Sequence, residues 1–159
     1  MSRFWGPHFK AIQEAIVALV GTERAAQNAN LPTAMQLAAG NFFFGVSDNP
    51  ERTPDKAFVG LVLPPENSAF TAEVTNSLES DAVEFRIVVA TNGKDSDSIL
   101  TYHREFIGLV MDALQSDMAL AGLVSGPAAP FLRFYDLQVG EGAVRQEVGV
   151  RYITRNDGL

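Results

Sequence analysis

The stretch that decides the fold is VRQEVGVRYITR, which runs from Val144 to Arg155. Apolar and charged residues alternate along it, as they do in a β-strand that buries one face. One face carries Val144, Val148, Val150 and Tyr152, and the other carries Arg145, Glu147, Arg151 and Arg155. A pairing shift of one residue would bury all of these charged side chains, so the strand specifies its own register.

A second predicted strand, Phe131–Val139, comes directly before it, and Gly140-Glu141-Gly142 lies between the two. Two strand-like runs joined by a short glycine-rich segment predict a β-hairpin. Farther upstream, Leu120–Val124 is predicted to be a short capping segment, and Gly126–Pro130 is predicted to be a linker.

The helix before this hairpin is predicted from Ser98 to about Ser116, because apolar residues recur there every three or four positions. Asp95, Ser96 or Asp97 can cap it by accepting the free N–H groups of its first turn. Its predicted buried stripe consists of Ile99, His103, Phe106, Val110 and Leu114, widened by Leu100, Ile107 and Met111.

Another amphipathic helix is predicted near the start of the chain, from about Pro7 to Val20. Gly21 is expected to end it, because glycine enters the left-handed conformation that closes many helices. A short second helix is predicted over Leu31–Gly40, which has proline early and glycine late.

The middle of the chain predicts a run of strands. Ala57–Leu63 is apolar on both faces, which is typical of a strand covered on each side. Phe70–Thr75 and Val83–Ala90 are predicted to form a hairpin. Ser47–Lys56 contains two prolines, which forbid a central strand, and is predicted to be a long loop.

The order helix, strands, helix, strands predicts an α+β fold. We expect a mostly antiparallel or mixed sheet, flanked by two main helices on one side. A length of 159 residues fits a single domain over residues 1–159.

Three consecutive aromatic residues, Phe42, Phe43 and Phe44, have two interpretations. Phenylalanine is usually buried, so they can form a short buried strand or plug the core under the following loop. They can also form an exposed apolar patch that binds a partner.

Composition narrows the function classes. The net charge is −7 and the pI is near 4.7, which disfavours a dedicated nucleic-acid binder and docking on anionic membranes. The chain has no cysteine, so disulfides and thiolate metal sites are impossible. It has no apolar run of membrane-spanning length and no signal-peptide pattern, which predicts a protein made and retained in the cytoplasm.

Catalytic motifs are absent from the sequence. His8 is predicted to be a surface residue, and His103 is predicted to be a core histidine with a satisfied ring. Glu79, Asp81 and Glu84 could converge as paired carboxylates, but a solvated hairpin tip explains them better. We therefore predict neither an enzyme, nor a metal site, nor a cofactor.

The layout as a whole resembles the phage tail terminator (tail completion) proteins. The residues Arg145–Tyr152 and the helix around Tyr102–Leu114 carry this resemblance, which extends from about Phe9 to Arg155. It implies a structural protein of the virion, located at the head-proximal end of the tail and assembled in the host cytoplasm. Such subunits form homohexameric rings that bind the tail-tube protein, end tail growth and receive the head-completion or connector protein.

In such a ring, DNA would pass through the lumen without specific binding, and an acidic surface would favour that passage by repelling phosphates. Ordinary solubility explains the same charge. Two other functions stay open: another small virion ring protein, such as a tail-tube or head-completion (neck) subunit, and a small cytoplasmic enzyme. The candidate interface residues are Phe42, Phe43, Phe44, Arg145, Glu147, Arg151 and Arg155, because arginine and large apolar side chains are enriched at protein contacts.

Overall fold

A computed structural model of the chain describes residues 5–31, 40–47, 55–65, 70–71, 81–93 and 96–154. Its helices are α1 (Trp5–Gln27) and α2 (Ser96–Ser116). Its strands are β1 (Phe42–Val46), β2 (Phe58–Val62), β3 (Phe70–Thr71), β4 (Asp81–Asn92), β5 (Gly126–Phe134), β6 (Gln138–Gly140) and β7 (Ala143–Thr154). Single 3-10 turns occur at Asn28–Asn30 and Leu120–Gly122.

All of these strands belong to one mixed sheet with the order β1-β2-β4-β7-β5. The pairing of β1 with β2 is parallel, and every other described pairing is antiparallel. β3 adds to β4, and β6 adds to β7 beyond the end of β5. The predicted α+β fold with a mixed sheet is confirmed.

Both helices lie on one face of the sheet and enclose the main core with it. The largest fully buried side chains of this core include Ile12 and Ile16 from α1, Phe106 and Leu114 from α2, and Phe58, Phe85 and Tyr152 from the sheet. The Phe106 ring is central, with centroids 5.6 Å from both Phe42 and Phe58 and 6.5 Å from Phe44.

The hairpin predicted at the end of the chain is confirmed, but its first strand, predicted over Phe131–Val139, is divided between β5 and β6 by residues 135–137. β7 buries Val144, Val148, Val150 and Tyr152 on the helix side of the sheet, as the alternation predicted. Gly142 in the turn has a φ of +72°, where L side chains are strained, and its carbonyl accepts a 2.9 Å hydrogen bond from the Gly93 N–H. The turn is therefore fixed against the end of β4.

The prediction of a linker over Gly126–Pro130 is wrong, because this segment forms the first half of β5. Two prolines misled the prediction. A strand at the end of a sheet can hold proline, since only one of its edges needs backbone donors, and proline also collects at irregularities. The register of β5 against β7 shifts between Pro127 and Leu132, where such an irregularity occurs.

The predicted helix end at Gly21 is also wrong, because α1 continues to Gln27. Gly21 lies on the exposed side of the helix with open space around its Cα. The extra turns are held by tertiary contacts: the Arg24 guanidinium lies 4.4 Å from the Phe42 ring centroid, and the Gln27 amide donates to Asp112 of α2 at 3.0 Å. These contacts offset the low helix propensity of glycine.

The buried stripe of α2 matches the prediction from Ile99 through Leu114, but it widens on the other side. Leu109 and Ala113 are buried, whereas Leu100 is 38% exposed. The error arose because apolar residues occur on both flanks of the stripe, and periodicity alone does not tell which flank meets the sheet.

The central strand is confirmed, since every residue of β2 is buried. Phe58 and Val62 join the helix-side core, while Val59 and Leu61 join a smaller apolar cluster with Leu63, Val88 and Ala90 on the opposite face. The pairing of β3 with β4 confirms the described part of the predicted hairpin. Residues 32–39 of the predicted second helix, residues 48–54 of the loop and the hairpin tip lie outside the described residues.

We predict that Phe106→Ala lowers the free energy of unfolding by ~3–5 kcal/mol, because it leaves a cavity among Phe42, Phe44 and Phe58. Urea denaturation followed by circular dichroism measures this. Leu100→Ala, at an exposed position of the same helix, is the control and should change stability by less than about 0.5 kcal/mol. Similar losses for both variants would show that Phe106 does not hold the core together.

Candidate functional site

The face of the sheet opposite the helices carries a group of ionised and aromatic side chains in contact with one another. We call Glu84, Arg86, Tyr135 and Glu147 the polar cluster. Glu84 and Arg86 project from β4, Glu147 projects from β7, and Tyr135 follows directly after β5. Three elements that are distant in sequence therefore meet here.

Glu84 is the unusual member, since it is only 6% exposed. The interpretation of Glu84 as part of a solvated hairpin tip is therefore wrong; Glu79 and the side chain of Asp81 lie outside the described part of the chain. Room for the carboxylate comes from Gly149 on β7, where an added Cβ would lie 2.8 Å from the Glu84 carboxyl carbon. The glutamate lies over a strand position that has no side chain of its own.

Hydrogen bonds and an ion pair compensate the buried charge. The Tyr135 hydroxyl donates to Glu84 Oε2 at 2.6 Å, and Arg86 Nε lies 3.5 Å from the same oxygen. Arg86 Nη1 donates to Glu147 Oε2 at 3.0 Å, so one guanidinium bridges two carboxylates. Its Cζ also lies 3.8 Å from the Tyr135 ring centroid, which is cation–π geometry. A charge removed from water is tolerated only when it is satisfied in this way.

The backbone pairing fixes these positions. Arg86 is directly opposite Gly149, and Val88 is directly opposite Glu147, in the pairing of β4 with β7. On the other side of β7, the Tyr135 N–H donates to the Glu147 carbonyl at 3.0 Å. The polar cluster is therefore held by ladder hydrogen bonds on both sides of β7 and does not depend on a flexible loop.

A cavity of about 360 Å³ opens beside the cluster, where β5 gives way to β6. Its lining is polar and carries both signs of charge: Tyr135, Asp136, Gln138, Arg145, Gln146 and Glu147. Such a lining fits a polar or zwitterionic group better than an apolar one. The cavity can accommodate a small molecule or side chains of another protein.

His103 connects the helix layer to this cavity. Its Nε2 lies 3.0 Å from Gln146 Oε1, and the Gln146 amide donates to the Tyr135 carbonyl at 3.1 Å. The glutamine oxygen can only accept, so Nε2 carries the proton, and Nδ1 accepts from the Thr91 hydroxyl at 3.0 Å in the neutral ring. The prediction of a core histidine with a satisfied ring is confirmed. Burial lowers the pKa of His103, which the hydrogen bond to Gln146 partly opposes.

His8 was predicted to be a surface residue, and that prediction is wrong, because it is only 8% exposed. It precedes Ile12 and Ile16 by one and two helical turns, so it lies on the buried stripe of α1. Burial lowers the pKa of this histidine as well.

The structure separates the predicted interface residues into two groups, one on the inner strand β7 and one on the edge strand β1. Arg145, Glu147 and Arg151 are half-buried on the helix-free face of β7, and Arg155 lies outside the described residues. Glu147 is bound to Arg86, and Arg151 Nη1 donates to the Ala129 carbonyl at 2.9 Å. Arg145, Glu147 and Arg151 therefore share the helix-free face of β7, and all three also interact with other groups of the chain.

The aromatic trio forms β1, at the opposite end of the sheet from β5. Phe42 and Phe44 pack against the helix-side core, as in the buried-strand interpretation. Phe44 lies over Gly60 of β2, where an added Cβ would come within 2.1 Å of the ring. Phe43 points to the other face and is 36% exposed, whereas Phe42 and Phe44 are half-buried.

No protein-family model matches this chain, and no curated protein sequence matches it significantly. In the described residues, no helix is both long and apolar enough to cross a membrane. The same residues contain no group of three histidine, aspartate or glutamate side chains that could hold a metal ion.

We predict that Tyr135→Phe lowers the free energy of unfolding by ~1–3 kcal/mol, because the buried Glu84 carboxylate loses a hydrogen-bond donor. Urea denaturation at pH 7 measures the loss. Tyr102→Phe removes the hydroxyl of a tyrosine that is 37% exposed and serves as the matched control, with a change below about 0.5 kcal/mol. If Tyr135→Phe changed the free energy of unfolding as little as the control, the hydroxyl would not be needed to hold Glu84.

We also predict that acidification below pH 6.5 destabilises the fold through His103. The pKa of the folded histidine lies below its ordinary value of 6.5, so the unfolded chain takes up the proton first. The stabilisation is complete above pH 6.5 and declines as the pH falls from there toward the folded pKa. Denaturation curves between pH 7.5 and pH 5 measure this slope.

The control for that experiment is His103→Gln, which keeps polar atoms in the site but does not titrate. Its stability should change less with pH over the same interval, and the remaining slope should come from groups such as His8, whose pKa is also lowered. Identical slopes in the two proteins would contradict the assignment to His103.

Proposed function

We propose that this protein is a structural subunit of a phage virion that forms a ring on the tail tube, as tail terminator proteins do. The observation that carries the proposal is the arrangement of elements. A first helix and a long second helix cover one side of a mixed sheet, and the chain ends in a hairpin whose last strand buries one face and presents charged side chains on the other. The resemblance implies this arrangement.

The two faces of the sheet support different roles. The helix side is an apolar core, whereas the opposite side carries Arg145, which lines the polar cavity, and Arg151, farther along β7. Arginine forms directional, forked pairs with carboxylates and is enriched at protein contacts. In the proposed ring, this face meets a neighbouring subunit, the tail-tube protein or the head-completion protein.

The net negative charge of the chain is compatible with a ring through which DNA passes. A net charge of −7 repels phosphates, so the genome could move through the lumen without specific binding. The same charge also promotes solubility, so it supports the proposal only weakly. A tail-tube or head-completion subunit would share these properties, and the experiment below separates them.

One observation favours a small enzyme as the second candidate. A buried carboxylate that accepts a hydrogen bond from a tyrosine, beside a polar cavity, is an arrangement that active sites also use. Glu84→Gln tests this alternative, since it keeps the size of the side chain and removes its charge. Binding of small metabolites is compared between the parent protein and Glu84→Gln. A metabolite that binds the parent but not the variant, while both assemble, would favour the enzyme. Equal metabolite binding by the two proteins would favour a structural role for Glu84.

We predict that the purified protein forms a closed ring with about six times the 17.2 kDa mass of the chain, at high concentration or on tails. Light scattering measures the mass, and negative-stain microscopy shows the ring. Phage that lack the protein should produce tails of irregular length without this ring. Tube-like polymers would instead favour a tail-tube subunit, and normal tails with missing heads would favour a head-completion subunit.

Monomers at all concentrations, together with tails that lack this protein, would overturn the proposal. Full-length protein is the right material for the experiment, because the residues outside the described ranges also belong to the subunit.

A further inference from the structure

Four of the seven large hydrophobic residues that are exposed in the described part of the chain lie at the two ends of the sheet, and the other three are Leu100, Tyr102 and Met118. Of the large hydrophobic residues that are exposed in the described part of the chain, Phe134 (46%), Leu137 (44%) and Val139 (61%) lie on or between β5 and β6. At the opposite end, Phe43 of β1 is 36% exposed. An edge strand with exposed apolar side chains is a template for pairing with another strand.

The edge formed by β5 and β6 is open over most of its length. Both strands pair with β7, and neither pairs with any other described strand. The Tyr135 N–H points toward β7, so the N–H of the preceding Phe134 points away from the sheet. From Phe131 to Gly140 the only charged residues are Arg133 and Asp136, and lysine, which commonly protects such edges, is absent.

The edge formed by β1 has the same character. Within the described residues it pairs only with β2. The Asn41 carbonyl and the Ser47 N–H bond to β2, which places the backbone polar groups of Phe42, Phe44 and Val46 on the outer side. The sequence of β1, FFFGV, has no charged residue at all.

The strand directions make these two edges complementary. β1 is parallel to β2, and the successive pairs β2–β4, β4–β7 and β7–β5 are all antiparallel. Counted across the sheet, β1 therefore runs opposite to β5. When two copies are placed side by side in the same orientation, the β5–β6 edge of one meets the β1 edge of the next as an antiparallel pair, which is the more stable arrangement.

We propose that copies of this chain assemble head to tail by strand pairing, with the β5–β6 edge of one subunit joined to the β1 edge of its neighbour. The proposal rests on the ring function above and names the contact that builds the ring. Phe134 and Val139 are on the helix side of the sheet, opposite Val148 and Val144 of β7, so the pairing places them beside the neighbour's Phe42 and Phe44. Phe43 lies on the other face of the joined sheet, opposite Val59 of its own β2. Two unlike edges form a heterologous contact, and such contacts close into rings when the rotation between subunits permits.

A pair of edge-blocked variants tests the proposal. Val139→Lys places a charge on the β6 edge and Phe43→Lys places one on β1, and both positions are exposed. Each variant alone should lose the ring and weaken self-association at least about tenfold. Mixed together, they should form a heterodimer, because each still has one intact edge, and this behaviour is specific to a head-to-tail contact.

Val139→Thr and Phe43→Thr are the matched controls, since threonine favours strands and adds no charge. They should assemble, and circular dichroism with thermal melting shows that all four variants fold. If Phe43→Lys does not fold, Val139→Lys mixed with the parent protein serves instead. The variant still has its β1 edge but not its β5–β6 edge, so it should end the growth of parent oligomers and leave them short and open.

The outcomes separate this inference from the proposed function. Normal rings from both lysine variants would overturn edge pairing and leave the ring function standing. Loss of the ring in Val139→Lys alone, with Phe43→Lys unaffected, would show a symmetric β5–β6 contact and overturn the head-to-tail arrangement. A parent protein that stays monomeric in solution and is absent from tails would overturn both.

Discussion

The antiparallel pairing of β4 with β7 is the constraint on which the rest of the structure depends. It extends without interruption from Asp81 opposite Thr154 to Asn92 opposite Ala143. β2 is added on one side and β5 on the other, so both ends of the sheet are positioned by these two strands. The pairing also decides which side chains meet the helices and which form the polar cluster. A shift of one residue would exchange the two faces and bury arginines against α2.

The same pairing shows how a sheet can bury a carboxylate in the space that a glycine on the neighbouring strand leaves free. Glycine usually weakens a strand, because it has no side chain to pack. Here Gly149 provides the volume that Glu84 fills, and Tyr135 and Arg86 supply the polar contacts that water would otherwise make. Phe44 fills the space over Gly60 on the other face in the same manner. Each glycine is compensated by a side chain from the neighbouring strand, so the sheet keeps dense packing on both faces.

Long segments with a clear period were predictable from the sequence. The faces of β7, the buried stripe of α2 and the fully buried β2 follow from residue spacing alone, because these elements bury what their own pattern specifies. The burial of Glu84 did not follow, since it depends on a glycine and a tyrosine that are more than fifty positions away in the sequence. The continuation of α1 past Gly21 likewise depends on Phe42 and Asp112, which only the folded chain brings near. Predictions failed where tertiary contacts outweighed local propensity.

The helix-side core, which stabilises the subunit, is separate from the edge strands of the sheet, which can bind another strand. The helix-side core is closed by α1 and α2, and its central rings have almost no exposure. Four of the seven exposed large hydrophobic residues in the described part of the chain lie at the strands that end the sheet, where backbone donors and acceptors also point outward. Apolar surface alone would make a subunit associate without a defined geometry, and backbone groups alone would be satisfied by water. Both features on one edge would define the direction and the register of a contact, as the proposed assembly requires.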